Sequence, residues 1–275
     1  MSDSPVNHPE ILIDLFGRHL LSLVLRVTDK SASSPQAQRQ ILVPGVHLLA
    51  HDKNFFLTAG HILQQIDRAL TRDLFSIDKA MIADVFSADR ITNYPIPFEF
   101  SRQSCHYVVD DSRGLDIGLI ELTDYYIRLM KANGILPITE VNWARQHTIS
   151  FEYYFVLGFP TQFNPGDQVP PGQASLSPVL VPAYPLDAAQ DDDQCTDEAT
   201  FCAQLPNDCT VDFDGMSGGP IFGIRTKPKV EYWIVAIQRS WLPIRKVIIG
   251  SRVPTIGWLV TWAVEQMEKY QGPRQ

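Results

Sequence analysis

The sequence predicts an all-β protein, a barrel or sandwich of many short strands closed by one terminal helix. Two observations carry that prediction. Short apolar runs of strand length recur along the chain, separated by turn-forming residues. Helical spacing is confined to two sizeable segments, 124–133 and 255–269. The composition, 45% hydrophobic and 20% charged, excludes a disordered, collagen-like or membrane-spanning chain. A length of 275 residues suits two domains or one large all-β unit.

Taken in order, residues 20–27 (LLSLVLRV) read as a strand, and a Ser/Gln-rich loop follows over 31–40. Residues 45–50 and 55–58 flank the turn-forming tetrad 51–54 (HDKN), so the segment reads as a hairpin. Residues 115–122 (LDIGLIEL) form another strand and lead into the helical segment 124–133. Residues 153–159 (YYFVLGF) make a buried-type strand stopped by Pro160. Seven prolines between Pro160 and Pro185, then an acidic stretch, mark a long insertion over 162–204. Strands return at 220–224 and 232–237 before the terminal helix, whose apolar face (Ile256, Leu259, Val260, Ala263, Met267) packs on the body.

The net charge is −8, and six of those charges are Asp187, Asp191, Asp192, Asp193, Asp197 and Glu198, in a stretch without a base. A near-neutral body with an acidic loop argues against nucleic acid or an anionic membrane as partner. No segment reads as a targeting signal, and no uncharged run is long enough to span a bilayer. Four cysteines are sparse for a disulfide scaffold, which places the chain in a reducing cytoplasm. Cys195, Cys202 and Cys209 recur every seven residues, a spacing unlike the close pairs of a zinc site, so free thiols and no metal are expected.

The most informative segment is 214–220, DGMSGGP. Glycines on both sides let Ser217 sit on a tight turn with its hydroxyl exposed and backbone N–H groups converging on one point. Such N–H groups stabilise the oxyanion formed when a serine attacks a carbonyl. The plainer alternative is a Gly-rich turn between strands. The segment also satisfies G-x-S-x-G, the nucleophile elbow of α/β-hydrolases, which needs its acid and histidine after the serine. All seven histidines (8, 19, 47, 51, 61, 106, 147) precede Ser217, so that order is excluded.

A histidine partner must therefore come from upstream. His61 follows the apolar strand FFLT and the small-residue turn Ala59-Gly60. Asp116 lies among apolar residues, where an unpaired carboxylate is costly and a histidine N–H is a suitable partner. Alone, a histidine near a strand end such as His61 is usually structural, and Asp116 reads equally as a strand-entry cap. The order His61, Asp116, Ser217 joins them.

These residues carry a resemblance. TAGH, ending at His61, resembles the T-A-A-H motif of trypsin/chymotrypsin-like serine peptidases. DIGLI, from Asp116, resembles their D-I-A-L-L, and GMSGGP, from Gly215, resembles G-D-S-G-G-P. VLGFP, ending at Pro160, is similar to a strand of the bacterial, intracellular-type members. The resemblance covers about 20–250 and implies a chymotrypsin-like double β-barrel with the active site in the cleft between barrels. The whole chain, 1–275, would be one peptidase unit. It would comprise an N-terminal segment (1–19), a first barrel (20–123), a connection (124–144), a second barrel (145–252) and the C-terminal helix (253–270). His61 would be general base then general acid, Asp116 its orienting partner and Ser217 the nucleophile of a cofactor-free acyl-enzyme reaction. The backbone N–H groups of Gly215 and Ser217 would form the oxyanion hole.

Two departures refine what the resemblance implies. Met216 stands where secreted members carry the Asp that pairs with a freed N-terminus, so activation by clipping is not expected. Val211 matches the floor of the substrate pocket, where trypsin-like enzymes place an Asp, and this points to a non-basic residue before the cleaved bond. Asp208, Asp212 and Asp214 are close enough in sequence to reach that pocket. Gln238 and Arg239 fall on the substrate-pairing strand, where Arg239 has no counterpart in the family. The expected function is a bacterial, cytoplasmic serine endopeptidase acting on proteins or peptides, with the insertion as the place for a regulatory partner. The rival is a catalytically silent fold that uses its cleft to bind peptides.

Overall fold

The computed structural model describes residues 9–30, 38–143, 151–164, 176–186 and 199–253, with 257, 259–262, 264 and 265. Seven strands build the first sheet: β1 (Leu20–Asp29), β2 (Gln38–Ala50), β3 (Lys53–Thr58), β4 (Phe75–Ala83), β5 (Ile96–Pro97), β6 (Cys105–Asp110) and β7 (Leu115–Leu122). Their order is β5-β4-β1-β2-β3-β7-β6. Six more, β8 (Tyr153–Gly158), β9 (Val179–Pro185), β10 (Thr200–Gln204), β11 (Pro220–Arg225), β12 (Glu231–Leu242) and β13 (Val247–Arg252), close into a barrel. Helices are few: α1 (Pro9–Gly17), α2 (Gly60–Thr71), α3 (Asp124–Ala132) and the single turn α4 (Glu140–Trp143). The architecture pairs two antiparallel β units; the second closes, whereas the described strands of the first form an ordered sheet.

The apolar run of β1 explains itself once both faces are assigned. Leu21, Leu23, Leu25 and Val27 point into the first unit's own core with Val43, Phe56 and Ile120. Leu20 and Val24 point the other way, into a shared core with Phe155, Leu157, Phe222 and Ile234 of the barrel. A strand buried on both faces needs no alternation. The hairpin between β2 and β3 turns on two residues, His51 and Asp52, with φ of 51° and 58°. Two positive φ values in succession give the turn whose twist matches the strands it joins.

The insertion contributes more regular structure than its prolines suggest, since β9 and β10 both come from it. β9 spends its hydrogen bonds on β8 over five residue pairs and meets β10 at only two, so Pro182 and Pro185 are tolerated at a weakly paired edge. Residues 165–175 and the acidic cluster 187–198 lie outside the described residues. Helical residues recur at Gly257, Leu259–Trp262 and 264–265, within the expected terminal helix, and Leu259 and Val260 join the shared core.

One cysteine expectation is corrected. Cys105 and Cys209 are free thiols, but Cys202, buried on β10 against Val247 and Ile249, is disulfide-bonded. Cysteine number says how many staples a fold can have, not whether two thiols meet. Cys195 lies outside the described residues. Among the described residues no helix is long and apolar enough to cross a membrane.

Candidate active site

The first half of the site is built where β3 runs into α2. Ala59, in extended conformation, caps the helix without a side-chain hydrogen bond, which leaves the first-turn N–H groups in need of acceptors. A Cβ at Gly60 would lie 2.6 Å from Val108 O and 2.7 Å from Ile117 O. Only glycine lets the helix start press this closely on β6 and β7. That approach brings His61 to Asp116 on β7.

Asp116 uses both carboxylate oxygens on one residue. His61 N donates to Oδ1 at 2.6 Å, and His61 Nδ1 donates to Oδ2 at 2.6 Å. The carboxylate therefore supplies the helix's missing acceptor and holds the ring at once, and its charge is favoured at a helix N-terminus. Asp116 is buried, whereas the His61 side chain stays 28% exposed. With Nδ1–H committed to Asp116, Nε2 of the neutral ring carries the lone pair. Behind the acid, Ser251 of β13 accepts from Asp116 N at 3.0 Å and donates to Gly114 O at 3.1 Å. A buried hydroxyl from the barrel thus fixes the strand that carries the acid.

The second half is the turn after Phe213. Gly218 has φ of +93°, and a Cβ there would stand 2.2 Å from Thr58 Oγ1 and 2.4 Å from Pro44 O. The serine turn therefore lies directly on the end of β3, three residues before His61. Gly218 N donates to Gln238 O at 2.8 Å and Gln238 N to Gly219 O at 2.9 Å, which ties the turn to β12. Met216 is buried, and a Cβ at Gly158 would come within 3.1 Å of its Cε. The N–H groups of Gly215 and Ser217 donate to no main-chain carbonyl among the described residues.

Ser217 Oγ donates to Arg239 O at 3.1 Å. Among the described residues no hydrogen bond joins it to His61, so the structure pairs His61 with Asp116 and gives Ser217 a different partner. The expected pocket residues separate. Val211 lines a cavity of about 450 Å³ with Asp212, Asp214, Trp241 and Lys246. Gln238 is buried behind the serine turn, its Nε2 donating to Ser240 O at 3.3 Å and its Oε1 without a partner. Arg239 sits where the β12–β13 register slips between Gln238 and Ser240. Neither Gln238 nor Arg239 lines the Val211 cavity. Among the described residues no group of three or more His, Cys, Asp or Glu side chains could hold a metal ion.

Two other histidines are structural. His19 Nδ1 donates to Leu136 O at 2.8 Å and Nε2 accepts from the Tyr232 hydroxyl at 2.7 Å, bridging the two β units. His47 Nε2 donates to Asn54 Oδ1 at 2.9 Å while Nδ1 has no partner. Burial pulls both rings down to about 4. The same cause pushes Asp84 up to about 6.

Sequence reasoning missed Ser251 and could not place Arg239. Ser251 offers one signal, a lone hydroxyl in the apolar strand VIIGS. Its partner depends on tertiary structure alone.

No protein-family model matches the chain, and no curated protein does either. Among solved structures, the chain is similar to catalytically active tobacco etch virus protease complexed with product, at 10% identity over 89% of this chain and 77% of that one, with a TM-score of 0.47. It is similar to the catalytically inactive form of that protease complexed with substrate, at 12% identity over 90% and 85%, TM-score 0.45. A Glu endopeptidase aligns at 13% identity over 87% of this chain and 89% of its own, TM-score 0.48. At these scores the likeness assigns no role to any residue here.

Proposed function

We propose that the chain is a serine endopeptidase, with Ser217 as nucleophile, His61 as general base then acid, and Asp116 as the group that orients His61. The observation that carries this reading is the two-point grip of the Asp116 carboxylate on His61. That grip fixes the ring in the tautomer that can accept a proton. The packing of the serine turn on the end of β3 at Gly218, three residues before His61, supports bringing the two together.

In the proposed cycle, Ser217 Oγ leaves Arg239 O by rotation about χ1 and passes its proton to His61 Nε2 as it attacks the scissile carbonyl. The Gly215 and Ser217 N–H groups receive the developing oxyanion. His61 then gives its proton to the leaving amine, and water hydrolyses the acyl-enzyme by the same route. Hydrogen bonds in a resting site often tighten only with substrate bound. Met216, buried in the second unit's core, offers no carboxylate for a freed N-terminus, which supports activity without N-terminal clipping.

The Ser217–Arg239 bond favours a second reading, a silent fold whose cleft binds peptides. Fluorophosphonate labelling separates the two. An adduct on Ser217 that disappears in Ser217→Ala and His61→Ala supports the enzyme, and a folded protein without adduct at any pH supports the binder. We further propose protein or peptide substrates, a regulatory partner at the insertion and a bacterial cytoplasmic setting. The bonded Cys202 runs against the last point, because disulfides are rare in reducing compartments. Thiol trapping in cells would read it directly.

A further inference from the structure

We propose that Arg239 selects peptides carrying a carboxylate side chain close to the scissile bond. The inference rests on the proposed function, because it assigns a substrate class to the same cleft.

Arg239 is the bulge residue of β12. Gln238 pairs with Gly250 and Ser240 with Ile249, which leaves Arg239 out of the ladder. A bulge of this kind re-aims a side chain and is common beside active sites. The main-chain oxygen of Arg239 accepts the Ser217 hydroxyl at 3.1 Å, so the guanidinium is tethered one side chain's length from the attacking atom.

The guanidinium is incompletely paired. Its Nη1 is shut off from solvent and has no hydrogen-bond partner. Among the described residues no carboxylate forms an ion pair with it. Asp212 and Asp214 belong to the serine turn and are exposed, yet neither engages it. Asp212 instead accepts from Asp214 N at 3.0 Å.

An unmatched N–H on a permanently charged group is expensive to bury. Arg225 on β11 also buries one unpartnered nitrogen, its Nε, but its Nη2 pairs with Glu231 and its plane lies over the Trp233 ring. Arg239 lacks such a carboxylate. A guanidinium accepts one in a planar two-bond fork, which neither water nor an amide oxygen reproduces. Arg239 is only partly buried, so its side chain can turn Nη1 outward to an acidic side chain of the bound peptide, which supplies the missing acceptor, and the pairing strengthens as the peptide excludes water.

The experiment uses quenched fluorescent peptides in which Glu, Gln, Leu or Lys is scanned through the positions flanking the cleaved bond. Each is made with a free and an amidated C-terminus. One position should favour Glu over Gln by about tenfold or more in kcat/KM, the effect of one charge-assisted hydrogen bond. Amidation should leave that preference unchanged, whereas a preference that follows the free C-terminus would assign the carboxylate to the chain end and overturn the proposal. Salt should reduce the preference, Arg239→Lys should retain part of it and Arg239→Gln should abolish it. Fluorophosphonate labelling of Ser217 and the melting temperature report whether each variant keeps its fold and nucleophile. If the wild-type protein takes no label, the catalytic reading fails, and the same peptides are read by fluorescence anisotropy. A Glu-over-Gln preference in binding, lost in Arg239→Gln, would still uphold the Arg239 assignment. No Glu preference in the wild type, or one unchanged in a folded Arg239→Gln, would overturn it.

Discussion

The two halves of the cleft are finished to different degrees. On the first sheet, each carboxylate oxygen of Asp116 has a donor, His61 is held at two points, and Ser251 clamps the strand behind them. On the barrel side, Ser217 bonds a carbonyl and the Gly215 and Ser217 N–H groups make no main-chain bond. There Gln238 Oε1 and Arg239 Nη1 are buried without partners. Unpaired buried groups normally cost about 1–3 kcal/mol each. Gln238 and Arg239 are neighbours on β12 beside the serine turn, and on the proposed reading this side is the one that takes up the substrate, whereas Asp116 and His61 satisfy each other. On the proposed reading, preorganisation on one side and the donors of the other, Gly215 N–H, Ser217 N–H and Arg239 Nη1, suit a site that positions its base in advance and binds charge as it develops.

Changes to the finished half should be the most damaging. Asp116→Asn keeps the volume but reverses one hydrogen bond and frees the ring to take the wrong tautomer. On the proposed reading it lowers kcat by roughly 10⁴-fold with little change in the far-ultraviolet spectrum. Steady-state kinetics on a cleaved peptide reads this, and turnover within tenfold of wild type would break the comparison.

Gly218→Ala attacks the seam between the halves. The added Cβ collides with Thr58 Oγ1 and Pro44 O at a φ of +93°, so the serine turn must lift from β3. A loss of about 1–3 kcal/mol in stability is expected, together with a much slower reaction of Ser217 with fluorophosphonate. Equal labelling rates would show that the contact with β3 does not position the serine.

Ser251→Ala sharpens the comparison with a smaller effect. It leaves Asp116 N and Gly114 O without their shared partner and costs about 1–2 kcal/mol. The pH at which activity falls should move, because the acid strand is less firmly held. A purely structural role would lower the melting temperature and leave the pH profile in place.

The last effect concerns pH, lies outside the cleft and leaves the chemistry of the site untouched. His19 and His47 are held neutral at about 4 in the fold, against an ordinary value of about 6.5 unfolded. Between those values the unfolded chain binds more protons, so stability falls as pH drops from about 6.5 toward 4, by up to about 3 kcal/mol per ring. Asp84, raised to about 6, holds its proton in the fold over part of the same window and offsets part of that loss. His47→Gln should therefore flatten the dependence of melting temperature on pH between about 7 and 4.5. An unchanged slope would remove His47 from the account.

What was legible in the sequence divides along similar lines. The segment 115–122 coincides with β7, and the hairpin at 51–54 folds on His51 and Asp52, because local pattern and turn chemistry decide both. β4 went unread because its burial changes along its length, half-exposed at Ser76–Lys79 and then buried from Ala80 to Ala83, so no single period describes it. α1 was hidden because its packing is tertiary, with Phe16 stacked on Phe222 at 4.2 Å. The candidates His61, Asp116 and Ser217 were readable from motif and order. The Arg239 bulge and the Ser251 clamp were not, since a register slip and a contact across 135 residues leave no local trace.

The central claim is that Ser217 forms a covalent acyl-enzyme. Its most direct test is intact and peptide-mapped mass spectrometry of protein quenched in acid during turnover of an activated peptide ester. The account predicts one acyl group per chain, carried on Ser217 and absent from Ser217→Ala. Turnover with no adduct, or an adduct on any other residue, would contradict it.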